Sequence, residues 1–384
     1  MMKKCTYFDY AATTPVDPTV LQTMLPYFSD EFGNPSSIHR WGQRAEAALE
    51  KARVICAKFL NITPENVVFT SGGTESDNLA LRGSALFQRK AVGADEVLIT
   101  HVEHPAISHT ARQLEAEFGF KLRFLPVNKY GMVDPSDVKK LISSKTALVS
   151  IIYGNNEVGT VNPIAEIGII CREMDIPFHS DAVQAAAHIP MDMVRDNLTM
   201  LSIGAHKMYG PKGVGLLGIN VSKGLIPAQT GGGQEFNLRA GTQNIPLIVG
   251  MSKAFELSQT EIGNRNKNLI CLRDQLIAGV LDRIPDSFLT GHPEIRLPNH
   301  ASFVFSSVDG NRLLMYLDSQ GFACSSGSAC KVGSPKPSNV LTSMGIKPEL
   351  AIGSLRVTIG KETTEDQIND LTMAIESSVR LLRK

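Results

Sequence analysis

Charge of one sign is what this chain most plainly lacks. Its 38 lysines and arginines match its 38 aspartates and glutamates, for a formal net charge of +0. A chain without a basic excess is not built to hold a polyanion such as nucleic acid as its main partner. Long apolar runs are missing too. No stretch reaches the length of a membrane span, and the opening MMKKCTYFDYAATTPVD has no apolar segment long enough for a secretory signal. The expected location is therefore cytoplasmic, with no membrane partner. The spacings C-x-x-C and H-E-x-x-H are absent, and Cys324 and Cys330 stand too loosely spaced to suggest a metal pair. No metal site is expected, and there is no internal repeat or low-complexity segment.

What is present points to an enzyme. The length of 384 residues allows two domains with substantial cores, and 43% apolar content with 32 glycines fits a soluble α/β protein. Six cysteines in an intracellular chain are expected to be reduced. Cys56, Cys171 and Cys271 read as packing thiols, and Cys324 as a residue at a strand end. Short apolar runs recur at Val67–Thr70, Val97–Thr100, Ala147–Tyr153, Ile176–Asp181, Met200–Ile203 and Gly213–Ile219. Continuous runs separated by helix-like segments predict parallel strands covered on both faces. Five of the runs lead into small or polar groups: SGGTES, HVEHPA, GNNEVG, AVQ after Asp181, and GAHK. Ligands in open α/β sheets sit beyond the carboxyl ends of the strands, so five such ends predict one cofactor site.

After Gly250 the texture changes. Leu269, Leu272, Leu276 and Val280 form the stripe of a long amphipathic helix. It leads into a smaller α+β domain: strand Ala301–Val308, helix Asn311–Gln320, a cysteine loop, helix Ser338–Met344, strand Ser354–Ile359, and a last helix opening at Thr363 with Asp366 three residues on. The expected division is 1–15 packing with the small domain, 16–256 as the large domain, and 257–384 as the small one. Leu355, Val357 and Ile359 share one strand face, leaving Arg356 and Thr358 on the other.

Individual motifs carry chemistry. SGGTESDNLALRGSALF is a glycine turn opening a helix after a strand, where backbone N–H groups can hold phosphate. It is neither a Walker loop nor a G-x-G-x-x-G turn. Asp181 closes a strand, and an acid there is either a helix cap or the partner of a pyridine-type ring nitrogen. Lys207 could supply the amine for a Schiff base. Arg356 offers a fork suited to a carboxylate. Cys330 stands among Ser325, Ser326, Gly327, Ser328, Gly333 and Pro335, an exposed-loop setting that suits a nucleophilic thiolate.

These stretches resemble one known family. YFDYAATTPVDP, FGNPSSIHRWG, FTSGGTESDNLA, EHPA, NNEVGTVNPI, HSDAVQ, AHKMYGPKGVG, GGGQEFNLRAGTQN, SSGSAC and SLRVTIG are similar, in order and across nearly the whole chain, to the cysteine desulfurases of the IscS/NifS group. These are class V members of the fold-type I pyridoxal-phosphate enzymes. The resemblance implies a large domain with a mostly parallel sheet, a smaller α+β C-terminal domain and pyridoxal 5'-phosphate as cofactor. Lys207 would hold the cofactor through its amine and later move the Cα proton. Asp181 would face the ring nitrogen, Gln184 and Asn156 the ring hydroxyl side, and His104 the ring face. Gly73, Thr74 and His206 would bind the phosphate, with Gly204 beside them and Thr242 reaching in from the other subunit of a homodimer. Arg356, with Asn156, would bind the carboxylate of L-cysteine. Cys330 would take the substrate sulfur as a persulfide, releasing L-alanine, and pass it to an acceptor for iron–sulfur assembly or thiolation. Selenocysteine lyase or another class V activity, and a silent sulfur-carrier scaffold, are the competing readings.

Three positions depart from the family pattern. Gly204 replaces a serine whose hydroxyl serves the phosphate, Thr199 replaces an aspartate, and Phe236 replaces an arginine. The first predicts a looser hold on the cofactor, by about one neutral hydrogen bond.

Overall fold

The computed structural model describes residues 5–219, 224–326 and 337–384. Strands β1 (Thr6–Tyr7), β2 (Val67–Thr70), β3 (Glu96–Thr100), β4 (Lys121–Leu125), β5 (Thr146–Ser150), β6 (Phe178–Asp181), β7 (Met200–Gly204) and β8 (Gly215–Ile219) occupy the first part of the chain. β9 (Ser287–Leu289), β10 (His300–Phe305), β11 (Phe322–Ala323) and β12 (Ser354–Thr358) follow. The large sheet has the order β2-β8-β7-β6-β5-β3-β4. β8 runs antiparallel to both its neighbours, and the other pairings are parallel. Each predicted apolar run becomes a strand of this sheet. Strand β4 has no such run, because KLRFL is an edge strand that is exposed to half-buried over four of its five residues. Its Arg123 reaches across to Glu96 at 3.1 Å.

A second sheet, β12-β10-β9, is antiparallel. The predicted strand and helix positions after residue 300 are found within a few residues. Leu355, Val357 and Ile359 enter the core beneath this sheet together with Phe303 and Phe305. The N-terminal strand β1 pairs in parallel with β11, and Phe8 is buried in that same core. One helix, Ile245–Arg283, serves both cores. Its Ile248, Met251 and Phe255 pack under the large sheet, and Leu269, Leu272, Leu276 and Val280 under the small one.

Two local expectations are corrected. Cys271 is exposed, not packed. The stripe Leu269-Leu272-Leu276 points inward, so the intervening Ile270 and Cys271 face outward. The last helix is capped by Thr364 and not Thr363: Thr364 Oγ1 accepts from Gln367 N while the Gln367 side chain returns to Thr364 N. Gln367 completes a capping box that Asp366 does not enter.

Two of the departing residues have roles away from the cavity. Thr199 Oγ1 accepts from Phe178 N at 3.1 Å, at the amino end of β6. Phe236 lies in a run, Glu235 to Asn237, in which three successive non-glycine residues take φ of 46°, 56° and 64°. That conformation is costly. A buried fork offsets it, since both Arg53 terminal nitrogens donate to Glu235 at 2.9 Å and Phe69 N adds a third hydrogen bond at 2.8 Å. The Phe236 ring covers the Arg53 guanidinium at 5.1 Å.

Candidate active site

β2, β3, β5, β6 and β7 deliver their carboxyl ends to one edge of the large sheet, where a cavity of about 310 Å³ opens. Of the residues singled out from the sequence, Gly73, Thr74, His104, Asn156, Asp181, Gln184, His206, Lys207 and Arg356 line it. Gly204 sits directly behind it, and a Cβ added there would lie 3.5 Å from Gly73 N. Thr242 lies on an exposed stretch of the chain, and it does not line the cavity of its own chain. Cys330 lies outside the described residues.

Each strand end holds its side chain for a local reason. Beyond β2, the helix Gly73–Val92 opens with Gly73 packed so closely that a Cβ would fall 2.5 Å from Val183 Cγ2. Beyond β3, His104 caps the helix Pro105–Phe118, its Nδ1 accepting from Ala106 N at 3.1 Å. That acceptor role leaves the ring proton of the neutral form on Nε2. Beyond β5, buried Asn155 folds the turn by accepting from Glu157 N and Val158 N, which presents Asn156 to the cavity. Beyond β6, Asp181 Oδ1 accepts from Val183 N at 2.9 Å, and Gln184 donates to the Ala11 carbonyl at 2.7 Å. Beyond β7, a single 3-10 turn, Ala205–Lys207, carries His206 against Thr13 Oγ1 at 3.1 Å. It also carries Lys207 Nζ to the carbonyls of Ala11 and Ala12, at 2.5 and 2.6 Å.

Burial sets the electrostatics. It pushes the Lys207 ammonium down to about 8, helped by the Arg356 charge. It raises the carboxyl of Asp181, against the pull of His104 and Lys207. It also lowers His104, and takes His206 down to about 4. Arg356 reaches in from the small sheet, where Nη2 donates to Asp9 Oδ1 at 2.8 Å and Nη1 to the Asn156 carbonyl at 2.9 Å. Its Nε is buried with no hydrogen-bond partner. Arg356 lines the cavity as a cationic fork, the kind of group that binds carboxylates.

The described residues that flank the stretch 327–336, which includes Cys330, lie near this fork. Before it, Ser325 pairs with Arg356 through their backbones, Arg356 N donating to Ser325 O at 2.7 Å. After it, Ser338 caps the helix Asn339–Ser343 and donates to Glu157 Oε2 at 2.5 Å, next to Asn156.

Sequence reasoning missed three contributors. Asp77 is buried in the cavity wall, its Oδ1 without a hydrogen bond and 3.7 Å from His179 Nε2, and its carboxylate, that of Asp181 and the His104 ring place atoms within 4.8 Å of one another. Its signal was an acid on the inward stripe of a helix, four residues after Gly73. Glu103 is likewise buried, accepts from Thr100 Oγ1 and Ile152 N, and is pushed up to about 8 by desolvation. Asp9 and the carbonyls of Ala11 and Ala12 come from the N-terminal segment, and nothing in YFDYAATTP marks them locally as ligands of Arg356 and Lys207.

The aminotransferase class-V profile matches residues 6–371. A protein of Dictyoglomus turgidum described as cysteine desulfurase IscS is 44% identical over 382 residues, covering 100% of this chain and 96% of that protein. A solved NifS-like protein superposes with a TM-score of 0.91 at 34% identity, covering 98% of this chain and 100% of the other. The structure described as SspA in complex with cysteine superposes with a TM-score of 0.80 at 34% identity, covering 93% and 99%. A lysine, two buried acids and a capping histidine gathered at one sheet edge, on a chain aligned end to end with these proteins, place it in a group: it belongs to the class-V aminotransferase family, among the IscS- and NifS-like proteins.

Proposed function

We infer that this chain is a pyridoxal-phosphate-dependent cysteine desulfurase that moves sulfur from L-cysteine onto Cys330 and releases L-alanine. One observation carries the reading: Lys207, Asp181, His104 and Arg356 converge on a single cavity. The residues present fit the cofactor. A half-buried lysine amine lowered toward neutrality can capture an aldehyde. A buried Asp181 can face a protonated ring nitrogen. The amide-bearing start of the helix at Gly73 and Thr74, with His206 and Gly204 beside it, can receive an anionic phosphate. Gln184 and Asn156 would serve the ring hydroxyl side and His104 the ring face, while Thr242 of a second copy would complete the phosphate site. When bound, the cofactor supplies an electron sink for the Cα of an amino acid.

The remaining steps fall to the chain itself. Arg356, whose guanidinium lines the cavity, holds the substrate carboxylate, and Asn156 borders it. The neutral Lys207 amine takes the Cα proton and later returns a proton to the product. The Cys330 thiolate attacks the substrate sulfur, so that an S–S bond forms as the C–S bond breaks; an acceptor thiolate then takes the outer sulfur, and the S–S bond breaks to return Cys330 as a thiolate. L-cysteine as substrate is supported by the cysteine in the SspA structure. A homodimer is supported by the concentration of exposed apolar side chains within one short stretch of chain, at Leu21, Leu25, Phe28, Phe32, Ile38 and Trp41. No helix of the described residues is long and apolar enough to cross a membrane.

The test combines colour with turnover. Cys330→Ala and the parent should both purify yellow, and the variant should form neither persulfide nor alanine from L-cysteine. Alanine release at the parent rate would reject the persulfide step. Selenocysteine as substrate, run in parallel, separates a lyase from a desulfurase.

A further inference from the structure

If Arg356 is the carboxylate receptor, something must hold its guanidinium in register with the cavity. Arg356 Nη1 donates to the Asn156 carbonyl at 2.9 Å, and that same oxygen lies 3.2 Å from His300 Nε2. A carbonyl only accepts, so the His300 ring must carry its proton on Nε2. The other nitrogen, Nδ1, is buried without any partner. A second proton there would meet no acceptor, in a fully buried site where the charges of Arg296, Arg356 and His188 also oppose it. The ring is therefore held as one neutral tautomer, a fixed donor.

The surroundings are shaped for that ring. Gly159 has φ of +81°, and a Cβ there would come within 2.9 Å of His300 Cγ and Nδ1. Arg296 braces the strand from below, its Nε donating to the His300 carbonyl at 3.0 Å and its Nη2 to the Val158 carbonyl at 3.0 Å. The register of β10 on β12 sets His300 opposite Thr358, and Ser302 opposite Arg356 itself. His300 thus joins the small sheet bearing Arg356 to the turn bearing Asn156, through one shared acceptor.

We propose that His300 is a positioning residue for substrate recognition, its Nε2–H fixing the Asn156 carbonyl so that Arg356 and the Asn156 side chain present a preformed carboxylate site. The proposal rests on Arg356 being that receptor, and its test separates the two. The measurement is titration calorimetry of the cofactor-loaded protein with L-alanine, which carries the carboxylate but no sulfur to turn over. Loss of one fixed donor predicts roughly five- to tenfold weaker binding in His300→Leu. The same variant should show a similar rise in KM for L-cysteine, kcat within twofold, and unchanged cofactor affinity. His300→Gln, whose amide can donate to the same oxygen, should bind within twofold of the parent. Should His300→Leu fail to fold, His300→Met takes its place. In the apoprotein, nitrogen-15 spectra should show the imidazole signal lost in His300→Gln to be the neutral Nε2–H tautomer at pH 6.

Parent-like L-alanine binding in His300→Leu, alongside weakened binding in Arg356→Lys, would overturn the positioning role and leave the receptor standing. Equal weakening in His300→Leu and His300→Gln, with matching losses of melting temperature, would reduce His300 to packing and overturn it too. Unchanged binding in Arg356→Lys would remove the receptor, and the proposal with it. A charged ring at pH 6 would contradict the fixed donor directly.

Discussion

Replacing Gly204 with serine tests how the cofactor phosphate would be held. Gly204 ends β7 with φ of −118° and ψ of 131°, open to any L residue. An added Cβ would lie 3.5 Å from Gly73 N and 3.7 Å from both His206 Cδ2 and Val183 Cγ1, all ordinary contacts. The new side chain would stand between the helix start and the histidine, the two groups assigned to the phosphate. One neutral hydrogen bond contributes about 0.5–1.5 kcal/mol, which converts to roughly two- to twelvefold tighter cofactor binding. Gly204→Ala is the control, since it removes unfolded-chain freedom worth about 0.4–1 kcal/mol but adds no hydroxyl. The assay is titration of apoprotein with pyridoxal phosphate, followed by absorbance, with thermal melts alongside. Alanine should raise the melting temperature and leave the dissociation constant alone, while serine should improve both. Identical dissociation constants for parent, alanine and serine would refute the phosphate assignment at this strand end.

Three further outcomes are expected. With Lys207 lowered to about 8, its free amine dominates above that pH, so cofactor capture by apoprotein should accelerate from pH 7 and level off near pH 9; a rate still climbing at pH 10 would show an ordinary lysine. Burial and the neighbouring Asp181 raise the Asp77 carboxyl well above its usual range, so the folded apoprotein keeps a proton that the unfolded chain releases above about pH 4, and its contribution to stability falls as pH rises. Asp77→Asn should therefore raise the melting temperature of the apoprotein more at pH 8 than at pH 5, and an equal gain at both would contradict the assignment. Glu235→Gln leaves buried Arg53 with only the exposed carboxylate of Glu50 as counter-charge, at a cost of up to about 3–5 kcal/mol, read by denaturant unfolding; a loss below 1 kcal/mol would show that the fork does not support the left-handed run.

The large sheet was legible because its strands are covered on both faces and announce themselves as unbroken apolar runs, each ending in the small or polar residues that make the cavity. Lys207, Asp181 and Arg356 were legible for the same reason, each standing at a strand end or on a polar strand face, while the role of His104 came from the family resemblance. Strand β4 and the short strands β1, β9 and β11 were not, since edge and two-residue strands bury too little to leave a pattern. The exposure of Cys271 turned on rotation about a helix axis, which the adjacent apolar pair concealed. What tertiary structure alone decided is which distant groups meet. Asp9 reaches Arg356 across 347 positions of chain, the Ala11 carbonyl receives Lys207, and Asn156 stands between Arg356 and His300. Local sequence specifies conformation and burial because these depend on near neighbours. Long-range pairings depend on how the two cores dock through one shared helix, and no short stretch of sequence contains that information.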